Sequence, residues 1–354
     1  MHKSPCINID LGIIKSNTQS LIKECKKHGV IPCGIAKLAC AEPKVEQALI
    51  DAGIHLIADP RIVNLKKIKH LNCIKMLLRM PSLSEIEDVI TYSDISLNTE
   101  IVTLKALSVA AIKQHKIHKI IIMHDLGDLR EGAFYEQETL TLAEQCMQLK
   151  GLELVGLGSN LACYGGVEPT FENQTQLLQI AKKIENKNAI KLTYISGASS
   201  AALPLMLSGK LPKGINQLRL GASLLMGIGL NDDVIPNTQQ DAFTLSAEII
   251  EIKIKPSVPL NSTAKDAFGH KPVFVDRGNR KRAICALGKQ DIDFSQLFLK
   301  DKNIMLIGGS SDHLILDITD VEPALQIGDS VDFTLSYSGI LQCMTSEYVH
   351  KNFC

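Results

Sequence analysis

Tryptophan is absent from the chain, and aromatic residues make up only 4% of it. So little ring surface disfavours a protein that stacks nucleobases or presents an aromatic-rich interface. Excess charge is missing too, since 38 Lys and Arg balance 38 Asp and Glu. Nucleic-acid binders usually carry a basic excess or a basic face, so no nucleic-acid partner is expected. No apolar run approaches the ~18 residues needed to cross a bilayer. The opening MHKSPCINIDL lacks the apolar core of a signal peptide. A cytoplasmic protein without a membrane partner is the expectation. The ten cysteines form no CxxC pair and no Cys/His cluster at zinc spacing, so no metal is expected. Most lie in apolar segments such as VIPCGIAK and read as small buried hydrophobes in a reducing compartment. Low-complexity tracts and internal repeats are lacking as well.

What is present is 354 residues, 45% of them hydrophobic, enough for one large domain and one smaller one. Eight apolar runs of strand length recur: VIPCGIAK (30–37), IHLIAD (54–59), IKMLLRM (74–80), DISLN (94–98), KIIIMHDL (119–126), LELVGLGSN (152–160), KLTYISG (191–197) and NQLRLGA (216–222). Their continuity suits strands buried on both faces of a parallel sheet. Helical patterns lie between them, at 17–29, 42–53, 100–115 and 174–187. Eight strands alternating with helices predict an α/β fold, a (β/α)₈ TIM-type barrel over 9–234, with a doubly wound sheet as the competing layout. From about 235 the pattern changes to period-two segments at 243–255, 271–276, 280–287, 303–309, 312–318, 330–337 and 340–349. These predict a mostly antiparallel β domain over 235–354, to which an N-terminal strand within 1–8 can add. The join falls near GIGLNDDVIPN (227–237).

A barrel demands that functional residues gather at the C-terminal ends of its strands. Lys37 closes the first run in GIAK, where partial desolvation makes an amine a usable nucleophile or base. SGASSAA (196–202) follows the seventh strand, and Ser199 and Ser200 with the free N–H groups of the next helix suit an anion, although ordinary N-capping explains serines there equally well. Arg219, in LRLGASLLMG on the eighth strand, needs an acceptor at the barrel mouth. Arg130, in HDLGDLREG after the fifth, is a fork suited to a carboxylate. Tyr337 lies in LSYSGIL near the end of the β domain.

In this order, the lysine, Arg130, the serine-rich turn and the RxGxxLxxG of Arg219 resemble the alanine racemase family, a fold-type-III pyridoxal-phosphate (PLP) family. The opening INIDLGIIKSNTQSL (7–21) is similar to the family's entry segment. KMLLRMP, DLGDLREG, NLACYGG, DAFGHKP, RKRAICALGKQD and GGSSDHLILD look closest to the ornithine racemase branch. The resemblance implies a PLP-dependent amino-acid racemase in which Lys37 carries the cofactor as a Schiff base and acts as a catalytic base. It also implies that Ser199 and Ser200, with Tyr337, hold the phosphate and that Arg219 faces the pyridine nitrogen. Arg130 would meet the substrate carboxylate or the phenolic oxygen, and Asn160 stands where a histidine usually packs on the ring. Two positions depart from the family: Ala41 and Phe268 stand where alanine racemases carry tyrosines, the latter their second base. Asp312 and His313 are the substitutes expected for that base, with Asp266 and His270 behind them.

Two-base racemisation in a homodimer with shared active sites is therefore expected. The substrate expected is a basic amino acid, ornithine first and lysine or arginine next. A distal ammonium would need an acceptor, for which Asp312, Asp266 and Glu131 are candidates. The rivals are a decarboxylase, a D-amino-acid aldolase or a dehydratase of the same fold, and a non-catalytic PLP carrier. Carriers resemble the barrel alone, so the appended β domain argues for an enzyme.

Overall fold

Period-two patterning inside the eight runs decides which side chains fill the barrel. Cys33, Leu56, Ala58, Met76, Ile95, Leu97, Ile121, Met123 and Val155 pack into one buried cluster. Where a strand supplies two of them they stand two residues apart, as alternate side chains pointing to one face must. The computed structural model describes residues 4–265, 268–269, 271 and 273–354. After an N-terminal strand β1 (Cys6–Ile9) come the barrel strands β2 (Ile31–Ile35), β3 (Leu56–Asp59), β4 (Ile74–Leu77), β5 (Ile95–Asn98), β6 (His118–Met123), β7 (Leu152–Ser159), β8 (Tyr194–Ser199) and β9 (Gln217–Leu220). They pair in sequence order, all parallel, and β9 returns to β2 with Ile31 opposite Gln217 and Gly34 opposite Leu220. The barrel is closed, and the doubly wound alternative is excluded.

The helices between strands are α1 (Leu11–Lys27), α2 (Pro43–Asp51), α3 (Ile62–Lys67), α4 (Ile86–Tyr92), α5 (Ile101–Lys113), α6 (Glu136–Met147), α7 (Phe171–Asn188), α8 (Leu203–Leu207) and α9 (Ala222–Leu225). Local chemistry explains several ends. Pro43 opens α2 where its missing N–H costs nothing, and Thr170 with Asn173 forms a reciprocal cap on α7. Among the described residues no helix is long and apolar enough to cross a membrane.

The chain divides into two compact units, Leu11–Gln240 and Met1–Asp10 with Asp241–Cys354. The polar stretch at 227–237, read as the join, lies inside the barrel unit. Asn17 and Gln239 explain this: the Asn17 Nδ2 donates to the Gln239 carbonyl at 2.8 Å and its Oδ1 accepts from the Gln239 amide at 2.7 Å.

The second unit holds an eight-stranded sheet. Its further strands are β10 (Phe243–Pro256), β11 (Asn279–Cys285), β12 (Leu297–Leu299), β13 (Met305–Gly309), β14 (Leu314–Asp317), β15 (Ser330–Leu335) and β16 (His350–Phe353). Pairing runs β12-β15-β10-β11-β14-β13, antiparallel throughout, while β1 adds antiparallel to β10 and parallel to β16. Two segments depart from the expected strands. Residues 340–349 fall mostly in a helix, α10 (Tyr337–Thr345), because the Ser336 hydroxyl caps it by accepting from the Gly339 amide at 3.1 Å. Ile340, Cys343 and Met344 are buried, at the spacing of one helical face. Residues 273–276 form no strand, and Val273 and Val275 are exposed.

Candidate active site

Side chains from the C-terminal ends of the barrel strands converge on one cavity of about 460 Å³. Lys37, Arg79, Arg130, Glu131, Asn160, Cys163, Ser199 and Arg219 supply its polar lining, and Ile35, Leu78, Met80 and Leu97 supply apolar wall. Six of the residues singled out from sequence therefore meet in one place: Lys37, Arg130, Glu131, Asn160, Ser199 and Arg219.

Lys37 lies just past β2, in a short turn of 3₁₀ helix, Ala36–Ala39. Its neighbours Ala36 and Leu38 are buried, while Lys37 itself is exposed in the barrel unit rather than partly desolvated. Cys40 and Ala41 then take left-handed backbone, with φ of 51° and 50°. The small, fully buried Ala41 occupies a conformation that costs most side chains energy. Behind this turn Asp59 ends β3, accepting from the Arg61 amide at 2.7 Å and from the Asn64 Nδ2 at 3.1 Å. Burial pushes its carboxyl up to about 6, against the pull of those donors and of the Lys67 and Lys37 ammonium groups. Glu46 on α2 is fully buried, and burial together with the negative charge of Asp59 raises it to about 8.

Arg219 projects from β9 and is buried. Its Nη1 donates to the Ser196 Oγ at 2.6 Å and its Nη2 to the Ser159 carbonyl at 2.8 Å. Asn160 Oδ1 stands 3.5 Å from the same Nη2, and the Asn160 Nδ2 is buried without a hydrogen-bond partner among the described residues. Burial lowers the guanidinium pKa.

Ser199 reaches the cavity through a register shift. Ser196 pairs with Gln217 and Ser199 with Arg219, so β8 holds one more residue than β9 over this interval. Such a bulge re-aims a side chain. Ala198 absorbs it at φ 88°, and Gly197 keeps the approach open, since a Cβ there would meet the Gln174 Oε1 at 2.3 Å and the Ile215 Cγ2 at 2.5 Å. The Ser199 hydroxyl accepts from the Ala201 amide at 3.3 Å. Ser200 is placed otherwise: its hydroxyl lies 2.9 Å from the Ser223 Oγ and accepts from the Gly221 amide at 3.3 Å, outside the cavity lining.

Arg130 is already paired. Its Nη2 donates to the Glu131 Oε1 at 2.6 Å and its Nε to the Glu131 Oε2. This ion pair raises the Arg130 pKa, and Glu131 is the one carboxylate among the lining residues.

Four contributors were given no role from the sequence. Asp128, fully buried, accepts from the amides of Cys163, Tyr164, Gly165 and Val167 at 3.1–3.3 Å and so fastens the loop after β7 to the loop after β6. Ser196 and the Ser159 carbonyl hold Arg219. Arg79, near the end of IKMLLRM, lines the cavity. The DLGD of HDLGDLREG was the only available signal for Asp128.

Asp312, His313 and Tyr337 belong to the β unit. Asp312 and His313 are exposed in the turn between β13 and β14. The Ser311 hydroxyl donates to the Asp312 Oδ2 at 2.5 Å, and the Ser310 Oγ lies 3.3 Å from the His313 Nδ1. Lys289 and Gln290 tie the turn by donating their amides to the Ser310 and Ser311 carbonyls, each at 3.0 Å. Tyr337 opens α10. Phe268 carries the Lys289 ammonium 3.9 Å from its ring centre, a cation–π contact rather than a proton carrier. Asp266 and His270 lie outside the described residues.

The chain is 41% identical over 349 residues to the ornithine racemase of Acetoanaerobium sticklandii, covering 98% of this chain and 99% of that protein. It is 37% identical over 350 residues to the lysine racemase of Thermotoga maritima, covering 98% of each. Among solved structures it resembles the alanine racemase of Clostridium difficile 630, with a TM-score of 0.78 and 17% identity over 100% of this chain and 96% of that one. It also resembles the alanine racemase of Bartonella henselae with covalently bound pyridoxal phosphate, at a TM-score of 0.76 and 16% identity, covering 100% of each chain. The model of the alanine racemase N-terminal domain matches residues 9–228, the stretch that builds the closed barrel and its lysine-bearing cavity, and the chain therefore belongs to the alanine racemase family.

Proposed function

We propose that this protein is a PLP-dependent racemase of a basic amino acid, ornithine first and lysine or arginine next, working in the cytoplasm as a homodimer. The observation that carries the reading is the meeting of Lys37, Arg219, Ser199 and Asn160 in one cavity at the mouth of a closed barrel. The donor set fits the cofactor. An amine can form the Schiff base, a hydroxyl can face the phosphate, and a buried guanidinium can face the ring nitrogen. The unpartnered Asn160 Nδ2 leaves a donor for a ring or its substituents. When bound, PLP supplies an electron-withdrawing ring that acidifies the substrate's α C–H.

The chain's own groups do the rest. Lys37 holds the cofactor and carries a proton to or from the α-carbon on one face. Ser199 would take the phosphate, and Ser200 steadies Gly221 and Ser223 behind it. Arg219, a permanent donor with no lone pair to accept a proton, would face the ring nitrogen as a hydrogen-bond donor. Arg130 faces the substrate carboxylate or the phenolic oxygen. Asp312 or His313, from a second copy of the chain, serves the opposite face, histidine being the better matched to neutral pH.

Chiral chromatography of all twenty L-amino acids after incubation with the enzyme tests the reading. Ornithine should racemise fastest, followed by lysine or arginine. Faster turnover of alanine than of ornithine would overturn the substrate, and racemisation of none would overturn the reaction.

A further inference from the structure

Another cavity, of about 470 Å³, opens at the end of the barrel opposite Lys37, among the first residues of β4, β5 and β6 and the chain leading into them. Its charged lining is lopsided, with Lys69, Lys75, Lys116 and Lys119 against Asp94 alone. Lys119 shares the strand parity of Ile121 and Met123, which pack inside the barrel, so its ammonium is directed away. Lys75 is out of parity with the inward Met76 and points to the helical side of β4. His118 adds no charge near neutral pH, because burial and the Lys116 ammonium hold its pKa down at about 4.

Two of these ammonium groups are held in the same unusual way. Lys75 is only 8% exposed, and its Nζ donates to the Leu71 carbonyl at 2.8 Å and the Cys73 carbonyl at 3.1 Å. Lys116, exposed at the rim, donates from Nζ to the Ile90 carbonyl at 2.8 Å and the Thr91 carbonyl at 3.3 Å. An ammonium has three N–H donors, so each lysine keeps one to spend. Neither these two nor Lys69 has an ion-pair partner among the described residues. The Asp94 Oδ2 is taken by the Lys75 amide at 2.7 Å. Carbonyl dipoles solvate a cation without cancelling its charge, and a buried charge is ordinarily paired. Three ammonium groups against one carboxylate leave two positive charges unanswered. A phosphate monoester carries about −1.5 to −2 near pH 7 and offers three strong acceptor oxygens.

We propose that this cleft binds a phosphate dianion, free or as the ester of a small molecule, through Lys75, Lys116 and Lys69. The cleft has room for more than the phosphate group, as a site for a small organic ligand does, and this favours the ester. The inference stands apart from the reading of the barrel mouth, since these lysines lie at the other end of the strands.

Calorimetric titration of the cofactor-loaded enzyme at low salt tests it with glycerol 3-phosphate and with inorganic phosphate. Both should bind the parent, the ester more tightly. Lys116→Met should weaken both about tenfold to a hundredfold, the range of a lost charge-assisted hydrogen bond. Lys75→Met should do the same, and the exposed Lys116 decides the matter if circular dichroism shows the Lys75 variant unfolded. Lys113→Met is the control for general attraction. It removes an α5 lysine that pairs with the Glu87 Oε1 at 2.8 Å and lies outside the lining, so it should leave both affinities unchanged. Tighter binding of the ester makes the esterified form the ligand, equal or tighter binding of inorganic phosphate makes it the free form, and either carries the site. Failure of both probes to bind the parent, unchanged binding to Lys116→Met, or an equal loss in Lys113→Met would overturn the proposal.

Discussion

Glu46 buries both carboxylate oxygens without a hydrogen-bond partner among the described residues, a costly arrangement for an ionised group. The protein meets that cost by keeping the proton, and burial with the neighbouring Asp59 charge raises the group to about 8. In the unfolded chain the same carboxyl titrates near ~4. A folded value above the unfolded one means the stabilisation is full below ~4 and is lost as pH rises toward about 8. Over that window stability should fall by about 1.4 kcal/mol per pH unit on this account. Glu46→Gln cannot ionise, so its melting temperature should gain on the parent's steadily from about pH 5 to about pH 8 and then run parallel. A difference that does not change with pH would show that Glu46 does not hold its proton.

Loops make the site at the scale of elements. Asn160 and Cys163 sit after β7, in a segment whose shape is set from outside by Asp128 of the preceding βα loop. Four amides on one buried carboxylate make a compact anion cradle, and hydrogen bonds to a charged acceptor are the stronger kind. Gly165 permits the approach, since a Cβ there would stand 2.8 Å from the Asp128 carbonyl oxygen. Asp128→Ala should cost about 2–4 kcal/mol of stability, because orphaned buried amides add to the lost bonds. Limited proteolysis should then cut within 162–167 while the barrel strands stay protected. Uniform loss of protection across the chain would make Asp128 a general core residue rather than the fastener of this loop. The β8 bulge is a second device of this scale, raising Ser199 to the level of Arg219 at the expense of a positive φ at Ala198.

At the scale of the whole molecule, racemisation by two bases asks for a second proton carrier. The cavity of the barrel unit is lined by Lys37 and guanidinium groups, with Glu131 occupied by Arg130. Asp312 and His313 stand exposed on a turn fixed by backbone bonds from Lys289 and Gln290. A dimer in which that turn serves the neighbouring copy predicts complementation. Lys37→Ala and Asp312→Ala/His313→Ala chains, each inactive alone, should regain racemisation when unfolded and refolded together, because hybrid dimers hold one intact site. Activity that does not rise above either parent, or a fully active monomer in sedimentation, would exclude the shared site.

Much of this was legible in the residue order. The eight parallel strands and the alternating segments after 243 announce themselves through local periods of apolar residues, which need no knowledge of distant partners. Lys37, Arg130, Asn160, Ser199 and Arg219 were legible because a barrel places every strand end at one face. The segment at 340–349 was misread because short apolar spacing serves a strand or a helix, and the Ser336 cap decided it. Only the closed barrel could decide that Ser199 enters the cavity while Ser200 turns to Ser223, that Glu131 clasps Arg130, and that Asp128 holds amides 35 to 39 residues away. The physical reason is range. Hydrophobic period and capping act within a few residues, whereas side-chain direction at a site follows from strand register and loop-to-loop hydrogen bonds, which exist only once the sheet has closed.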